Sequence, residues 1–167
     1  MARILIVDDD AELVTLLSEF LEGEGFTPLS AADGERGARA ALDERPDLVV
    51  LDVMLPALGG FEVLKQIKES QRLVEVIMIS AINEVETAVR AMKLGAYHYI
   101  TKEFDYDALR GLVRNASERQ DLRNRVESLT AQVQAQDEEF VMGTSPAMRA
   151  VVGLVQKVAR LDTTVLI

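Results

Sequence analysis

Short apolar runs alternate with amphipathic stretches from one end of the chain to Ile100. Ile4 to Val7, Thr27 to Ser30, Leu48 to Leu51, Val74 to Ile79 and Tyr97 to Ile100 are uninterrupted enough to predict strands buried on both faces. Between them, Glu12 to Gly23, Glu35 to Glu44, Phe61 to Ser70 and Val85 to Leu94 repeat apolar residues at helical spacing, as Leu13, Leu16, Leu17 and Phe20 do. Gly23 or Gly25, and Gly95, stand where left-handed caps would end helices. This βαβαβαβαβ order predicts a doubly wound α/β fold: five parallel strands, right-handed crossovers, and ligands beyond the carboxyl ends of the strands.

The pattern changes after Asp105. Leu112 to Met142 contains neither Gly nor Pro, and Leu122, Val126, Leu129, Val133, Gln136 and Phe140 follow a 4-3-4-3-4 spacing. Valines at a and leucines at d favour a parallel two-stranded coiled coil. The early Arg123 and Arg125 and the late Asp137, Glu138 and Glu139 would pair better in an antiparallel arrangement. Gly143 then ends the helix, Ser145 and Pro146 supply a cap and a first helical residue, and Ala147 to Arg160 and Thr163 to Ile167 read as one more helix and strand. One helix and one strand close no core. The expected organisation is a domain over residues 1–120, a helical linker over 115–141 that continues its last helix, and the opening of a further domain over 142–167.

Composition narrows the chemistry. With no Cys and a single His98 in 167 residues, disulfides, thiolate sites and histidine metal sites are excluded, so any metal is bound by oxygen. The net charge of -10, from 28 acidic and 18 basic residues, has the wrong sign for direct nucleic-acid binding. No apolar run approaches the roughly 18 to 20 residues of a membrane span. A cytoplasmic protein is the expectation.

The predicted strand ends carry the reactive residues. Asp8, Asp9 and Asp10 follow the first strand, Asp52 follows the third, Ser80 ends the fourth, and Lys102 follows the fifth. Carboxylates brought this close repel one another unless a cation is present. Mg²⁺, which takes oxygen ligands and pairs with phosphate, suits a shallow acidic site. A carboxylate beside it can attack a phosphoryl group, with the lysine and the hydroxyl neutralising and positioning it.

The Asp8-Asp9 pair after Ile-Leu-Ile-Val, Asp52-Val53-Met54-Leu55-Pro56 with Gly60 beyond, Ser80-Ala81, and Gly95-Ala96 leading to Tyr99-Ile100-Thr101-Lys102 together resemble the receiver domain of a bacterial two-component response regulator. The resemblance implies a flavodoxin-like receiver fold with strand order 2-1-3-4-5. It makes Asp52 the phosphoacceptor, supplied by a phosphohistidine on a sensor histidine kinase. It makes Asp9 a direct Mg²⁺ ligand, Asp8 a ligand through water and Met54 a ligand through its backbone carbonyl, with Asp52 completing the set. Ser80 would bond the phosphoryl oxygen, Lys102 would pair with Asp52 and then with the phosphoryl group, and Tyr99 would move with Ser80 on activation. Such a domain catalyses only its own phosphoryl transfer and dephosphorylation. Receivers usually carry Pro after this lysine, joined by a cis bond. Glu103 stands there instead, and a trans bond is expected, since cis costs about 2.5 to 4 kcal/mol before a non-proline residue.

Val141-Met142-Gly143-Thr144-Ser145-Pro146-Ala147-Met148-Arg149, with Val158-Ala159 and Thr164-Val165-Leu166-Ile167, resembles the start of the AAA+ domain of NtrC-like transcriptional activators. The resemblance implies an attached ATPase, and the heptad seam through Leu122, Val126, Leu129 and Val133 suggests a homodimer that would govern it. A competing enzyme reading takes Asp8 and Asp10 as the D-x-D of a haloacid-dehalogenase-like, Mg²⁺-dependent phosphatase, with Ser80 and Lys102 in support. It needs an acidic pair after a further strand, whereas Glu103, Asp105 and Asp107 begin a helix.

Overall fold

The computed structural model describes residues 2–70 and 73–138. The elements alternate as expected: β1 (Arg3–Val7), α1 (Ala11–Gly23), β2 (Thr27–Ala31), α2 (Gly34–Glu44), β3 (Leu48–Asp52), α3 (Gly60–Ser70), β4 (Glu75–Ser80), α4 (Val85–Lys93), β5 (His98–Thr101) and α5 (Tyr106–Glu138). All strand pairs are parallel, in the order β2-β1-β3-β4-β5. This is the flavodoxin-like receiver fold. Residues 1–125 form one compact unit and the chain from Val126 a second. The resemblance at 142–167 and the seam position Phe140 lie outside the described residues.

Alternation along each strand divides the core between the two sheet faces. Leu5 and Val7 of β1 join Val49, Leu51, Val76 and Met78 beneath α2, α3 and α4. Ile4 and Ile6 join Leu48, Val50, Ile77 and Ile79 beneath α1 and α5, where Leu17, Leu21, Leu109, Val113 and Ala116 close over them. The central strands β3 and β4 are buried along their whole length. β2 and β5 depart from the expectation of burial on both faces: they are the sheet edges, and their residues are mostly half-buried or exposed.

The helix ends are also written locally. Asp10 caps α1, its carboxylate accepting from the N–H groups of Glu12 and Leu13 at 3.0 and 3.2 Å, and Asp33 caps α2 by accepting from Arg36 at 2.8 Å. Past α1 and α4, Gly25 and Gly95 take φ of +86° and +93°. α5 begins at Tyr106 and runs through Gly111, where nothing packs. No helix among the described residues is long and apolar enough to cross a membrane.

The β3–α3 connection turns back on the strand it leaves. The Gly60 N–H donates to the Val53 carbonyl at 3.1 Å, and a Cβ at Gly60 would stand 2.0 Å from the Asp52 carbonyl oxygen. Gly60 is therefore the residue that lets α3 start directly against the end of β3. Gly60→Ala is expected to destabilise the domain by about 1–3 kcal/mol, the usual cost of overpacking. Urea denaturation checks it, and an unchanged midpoint would show that the loop relaxes freely.

Candidate functional site

The sheet order brings the carboxyl ends of β1, β3, β4 and β5 to one edge, and with them Asp8, Asp52, Ser80 and Lys102. Asp8 follows β1, its N–H donating to the Ala31 carbonyl at 3.1 Å. Asp52 is the last residue of β3. Both side chains are buried, at 0% and 2% exposure. Lys102, just past β5, is tied to β4 by its N–H, which donates to the Ser80 carbonyl at 2.7 Å. The described residues contain no cis peptide bond, so Lys102 reaches the site across a trans bond to Glu103.

One ammonium spans both acids. Lys102 Nζ donates to Asp52 Oδ2 at 2.8 Å and to Asp8 Oδ1 at 3.1 Å. Asp8 Oδ1 also accepts the Asp10 N–H at 2.9 Å, and Asp52 Oδ1 the Met54 N–H at 3.1 Å. Asp8 Oδ2 is buried and accepts no hydrogen bond, although the ammonium lies 3.0 Å away. Burial raises the Asp8 carboxyl above its usual range, outweighing the Asp10 N–H and Lys102, and the neighbouring Asp52 charge adds to the rise. Burial likewise works to lower Lys102, but the bonds to Asp52 and Asp8 together overcome it and hold the ammonium above the ordinary lysine value.

Asp9 is exposed at the rim, and oxygens of Asp8, Asp9 and Asp52 lie within 4.8 Å of one another. Three carboxylates against one ammonium, one of them with an unbonded buried oxygen, form a donor set that fits a hard divalent cation. Asp10 belongs elsewhere: its carboxylate is spent on the α1 cap. The D-x-D expected of the phosphatase reading is thus not a pair. Asp105 likewise accepts the Asp107 N–H at 3.3 Å at the start of α5 instead of joining the site.

Ser80 is fully buried at the end of β4. Its Oγ accepts the Ile82 N–H at 3.0 Å, and the Tyr99 hydroxyl donates to the Ile82 carbonyl at 2.5 Å. The two residues expected to move together therefore grip the same peptide segment. Nothing in the sequence points to Ile82 in this role, because its contribution is backbone. Met54 is 61% exposed beside Asp52. On α5, Leu122, Val126 and Leu129 are 62%, 62% and 59% exposed, at the spacing of the predicted seam.

A family model described as "Response regulator receiver domain" matches residues 4–114. Among curated proteins, the alkaline phosphatase synthesis transcriptional regulatory protein PhoP of Bacillus subtilis is 44% identical over 102 residues, covering 61% of this chain and 42% of PhoP. Regulatory protein AtoC of Escherichia coli is 32% identical over 166 residues, covering 99% of this chain and 36% of AtoC. The chain thus spans less than half the length of these relatives. Among solved structures, NtrX from Brucella abortus in complex with ATP superposes with a TM-score of 0.71 at 34% identity, over 95% of this chain and 34% of NtrX. The family match removes the phosphatase reading.

The lysine is expected to matter for stability as well as chemistry. Lys102→Met leaves two buried carboxylates unpaired and should cost about 2 kcal/mol at neutral pH, less than for a fully buried pair because the ammonium is partly exposed. A raised carboxyl pKa stabilises the fold below the unfolded value of 3.8 and loses that contribution as pH rises through the folded value. The deficit of the variant is therefore expected to shrink on acidification through the carboxylate range. Denaturation midpoints of both proteins between pH 3.5 and 8 check this, and a deficit independent of pH would place the lysine's contribution in packing alone.

Proposed function

Because this chain belongs to the response regulator receiver family, we propose that it is a phosphorylation-dependent regulatory module working in the cytoplasm, with Asp52 accepting a phosphoryl group from the phosphohistidine of a sensor histidine kinase. The observation that carries this reading is the single ammonium held between two buried carboxylates, with a third carboxylate at the rim. A site built only for stability would neutralise its charges. This one retains an excess of negative charge beside the end of β3.

Asp52 is held through one oxygen by the Met54 N–H and through the other by Lys102, so its orientation is set before a partner arrives. Attack by the Asp52 carboxylate on the phosphorus, with departure of the histidine nitrogen, forms an acyl phosphate. Lys102 then moves from Asp52 to the new phosphoryl oxygens, a short displacement for a flexible side chain. Asp8, Asp9 and Asp52, with the Met54 backbone carbonyl, are the groups that would hold Mg²⁺, which supplies neutralisation of phosphoryl charge.

Ser80 offers its O–H to a phosphoryl oxygen while its Oγ accepts the Ile82 N–H, so the side chain that meets the phosphoryl group is also the one that holds Ile82. A rotation of Ser80 toward the phosphoryl group displaces Ile82, and with it the Tyr99 hydroxyl on the Ile82 carbonyl and the start of α4. A shift of a few kcal/mol between two such arrangements suffices for a switch. By the family resemblance Met54 and Ile82 stand at the positions that flank the route of an attacking water, and both are apolar, which disfavours hydrolysis.

The output we assign is self-association. Leu122, Val126 and Leu129 are exposed and Val133 continues their spacing, the seam of a two-stranded linker that would act on an attached AAA+ transcription activator. Alignment with AtoC through nearly the whole chain and the superposition on NtrX support the attached domain. The catalysis retained by this chain is its own phosphoryl transfer and dephosphorylation.

Sedimentation of the wild type with Mg²⁺ and beryllofluoride is expected to show a change of mass or shape that Asp52→Asn does not show. Joint replacement of Leu122, Leu129 and Val133 by polar residues should abolish association, and a dimer that survives it would refute the seam. The acyl phosphate is expected to persist for minutes or longer in Mg²⁺ buffer, and Met54→Glu, which can orient a water, to shorten it. Decay within seconds in the wild type, followed by phosphate release, would show that the apolar pair does not exclude water.

A further inference from the structure

Outside the acidic site, Glu75 is the other buried carboxylate among the described residues, 3% exposed at the first position of β4. Its Oε1 receives two guanidinium groups from α5: Arg123 Nη1 at 2.6 Å and Arg119 Nε at 3.2 Å. Arg123 also reaches the Leu73 carbonyl at 3.4 Å, and the Arg119 guanidinium lies 5.6 Å from the Tyr97 ring centroid. The two arginines are one helical turn apart and so share a face.

What surrounds this cluster gives it consequence. α5 is joined to the apolar core through Leu109, Val113 and Ala116, and there the apolar contribution stops. The next inward positions are polar. Ser117 Oγ and Gln120 Oε1 are buried without a hydrogen-bond partner among the described residues, which opposes docking of that turn. Gln120 uses its amide nitrogen on Asn124 of its own helix. Leu122, on the opposite face, is exposed. Residues 117–123 therefore place no apolar side chain in the core and leave two polar atoms uncompensated, and the Glu75 ion pairs, with the Arg123 bond to the Leu73 carbonyl and the Arg119 contact with the Tyr97 ring, oppose their release.

We propose that Glu75 is an ionic anchor that fixes where α5 leaves the receiver, and that it couples Asp52 to the linker. The coupling half rests on the function proposed above. Its physical basis is that β4 carries Ser80 at one end and Glu75 at the other, so a displacement of β4 or of its neighbours on phosphorylation changes the position of the carboxylate that takes both Arg119 and Arg123. The attraction of a partly solvated ion pair is set against two buried oxygens without partners, which narrows the free-energy gap between docked and released states of this turn. A balanced element of this kind is what a small displacement can tip. The anchor also sets the phase of the helix, keeping Arg119 and Arg123 inward and Leu122 outward.

The test uses the full chain as wild type, Glu75→Gln and Arg123→Gln. Glu75→Gln removes the charge while keeping shape but also takes the neighbouring carboxylate from the part-buried Lys68, whereas Arg123→Gln leaves Glu75 its second arginine and Lys68 its carboxylate, so an effect shared by both variants is not that of an orphaned lysine. Amide hydrogen exchange is expected to accelerate about tenfold or more over residues 117–125 in both variants, with 107–113 still slow. Phosphorylation of Asp52 by a small-molecule phosphodonor should be unchanged, while the response of sedimentation to Mg²⁺ and beryllofluoride is lost or blunted. Exchange over 117–125 as slow as in the wild type, or acceleration spread evenly over the domain, would overturn the anchor. A full beryllofluoride response in both variants would overturn the coupling. A wild type that does not respond at all defeats the self-association reading and the coupling with it, and the exchange measurement then decides the anchor by itself.

Discussion

The site depends on two buried carboxylates being brought to one sheet edge with a single ammonium between them. Neither Asp8 nor Asp52 is tolerable there alone, since a buried charge without a partner costs several kcal/mol. Lys102 makes the pair possible, and it is placed by the strand order: β1 and β3 are neighbours, β4 follows, and β5 ends where its next residue can reach across. The backbone bond from Lys102 to the Ser80 carbonyl extends the sheet pairing by one residue, so the lysine is positioned by the sheet and not by a flexible loop. That rigidity explains how a trans bond to Glu103 still delivers the ammonium.

The same arrangement leaves the site unbalanced in charge. Burial holds the Asp8 carboxyl above its usual range, one of its oxygens has no hydrogen bond, and the exposed Asp9 adds a further negative group. A stable domain gains nothing from such an excess. Its presence is intelligible as readiness for a cation, which brings the positive charge the site lacks. The Ile82 peptide stores the other half of the device, with Ser80 on its N–H and Tyr99 on its carbonyl. Ser80 thus stands between the acidic edge and Ile82, so a rotation of its side chain is passed to that backbone.

β4 lies between the two functional ends. Ser80 closes it at the acidic edge and Glu75 opens it at the far edge, where α5 is held by ion pairs after its apolar face has run out. Apolar packing secures α5 up to Ala116 and polar contacts take over beyond it. Such a division suits a helix whose first part belongs to the fold and whose later part answers to it.

Much of this was legible in the residues themselves. Among the described residues, period and run length identified the strands and helices because the two-sided burial of a central parallel strand leaves a continuous apolar run, and Leu48 to Leu51 and Val74 to Ile79 show it plainly. The reactive set was legible because strand ends are known positions in a doubly wound fold, so Asp8, Asp52, Ser80 and Lys102 could be named before their distances were known. Asp10 could not be separated from its neighbours by sequence, since a capping aspartate and a ligand aspartate are the same residue until the helix start is placed. The half-exposed β2 and β5 also escaped, because edge position follows from strand order and not from the run. The shared Ile82 peptide, and the meeting of Glu75 with Arg119 and Arg123, left no sequence signal at all. The chain determined its elements and the identity of its chemistry through local pattern. Tertiary structure decided which charges meet, because pairing between residues dozens of positions apart is fixed by sheet order and helix packing, and no local period records it.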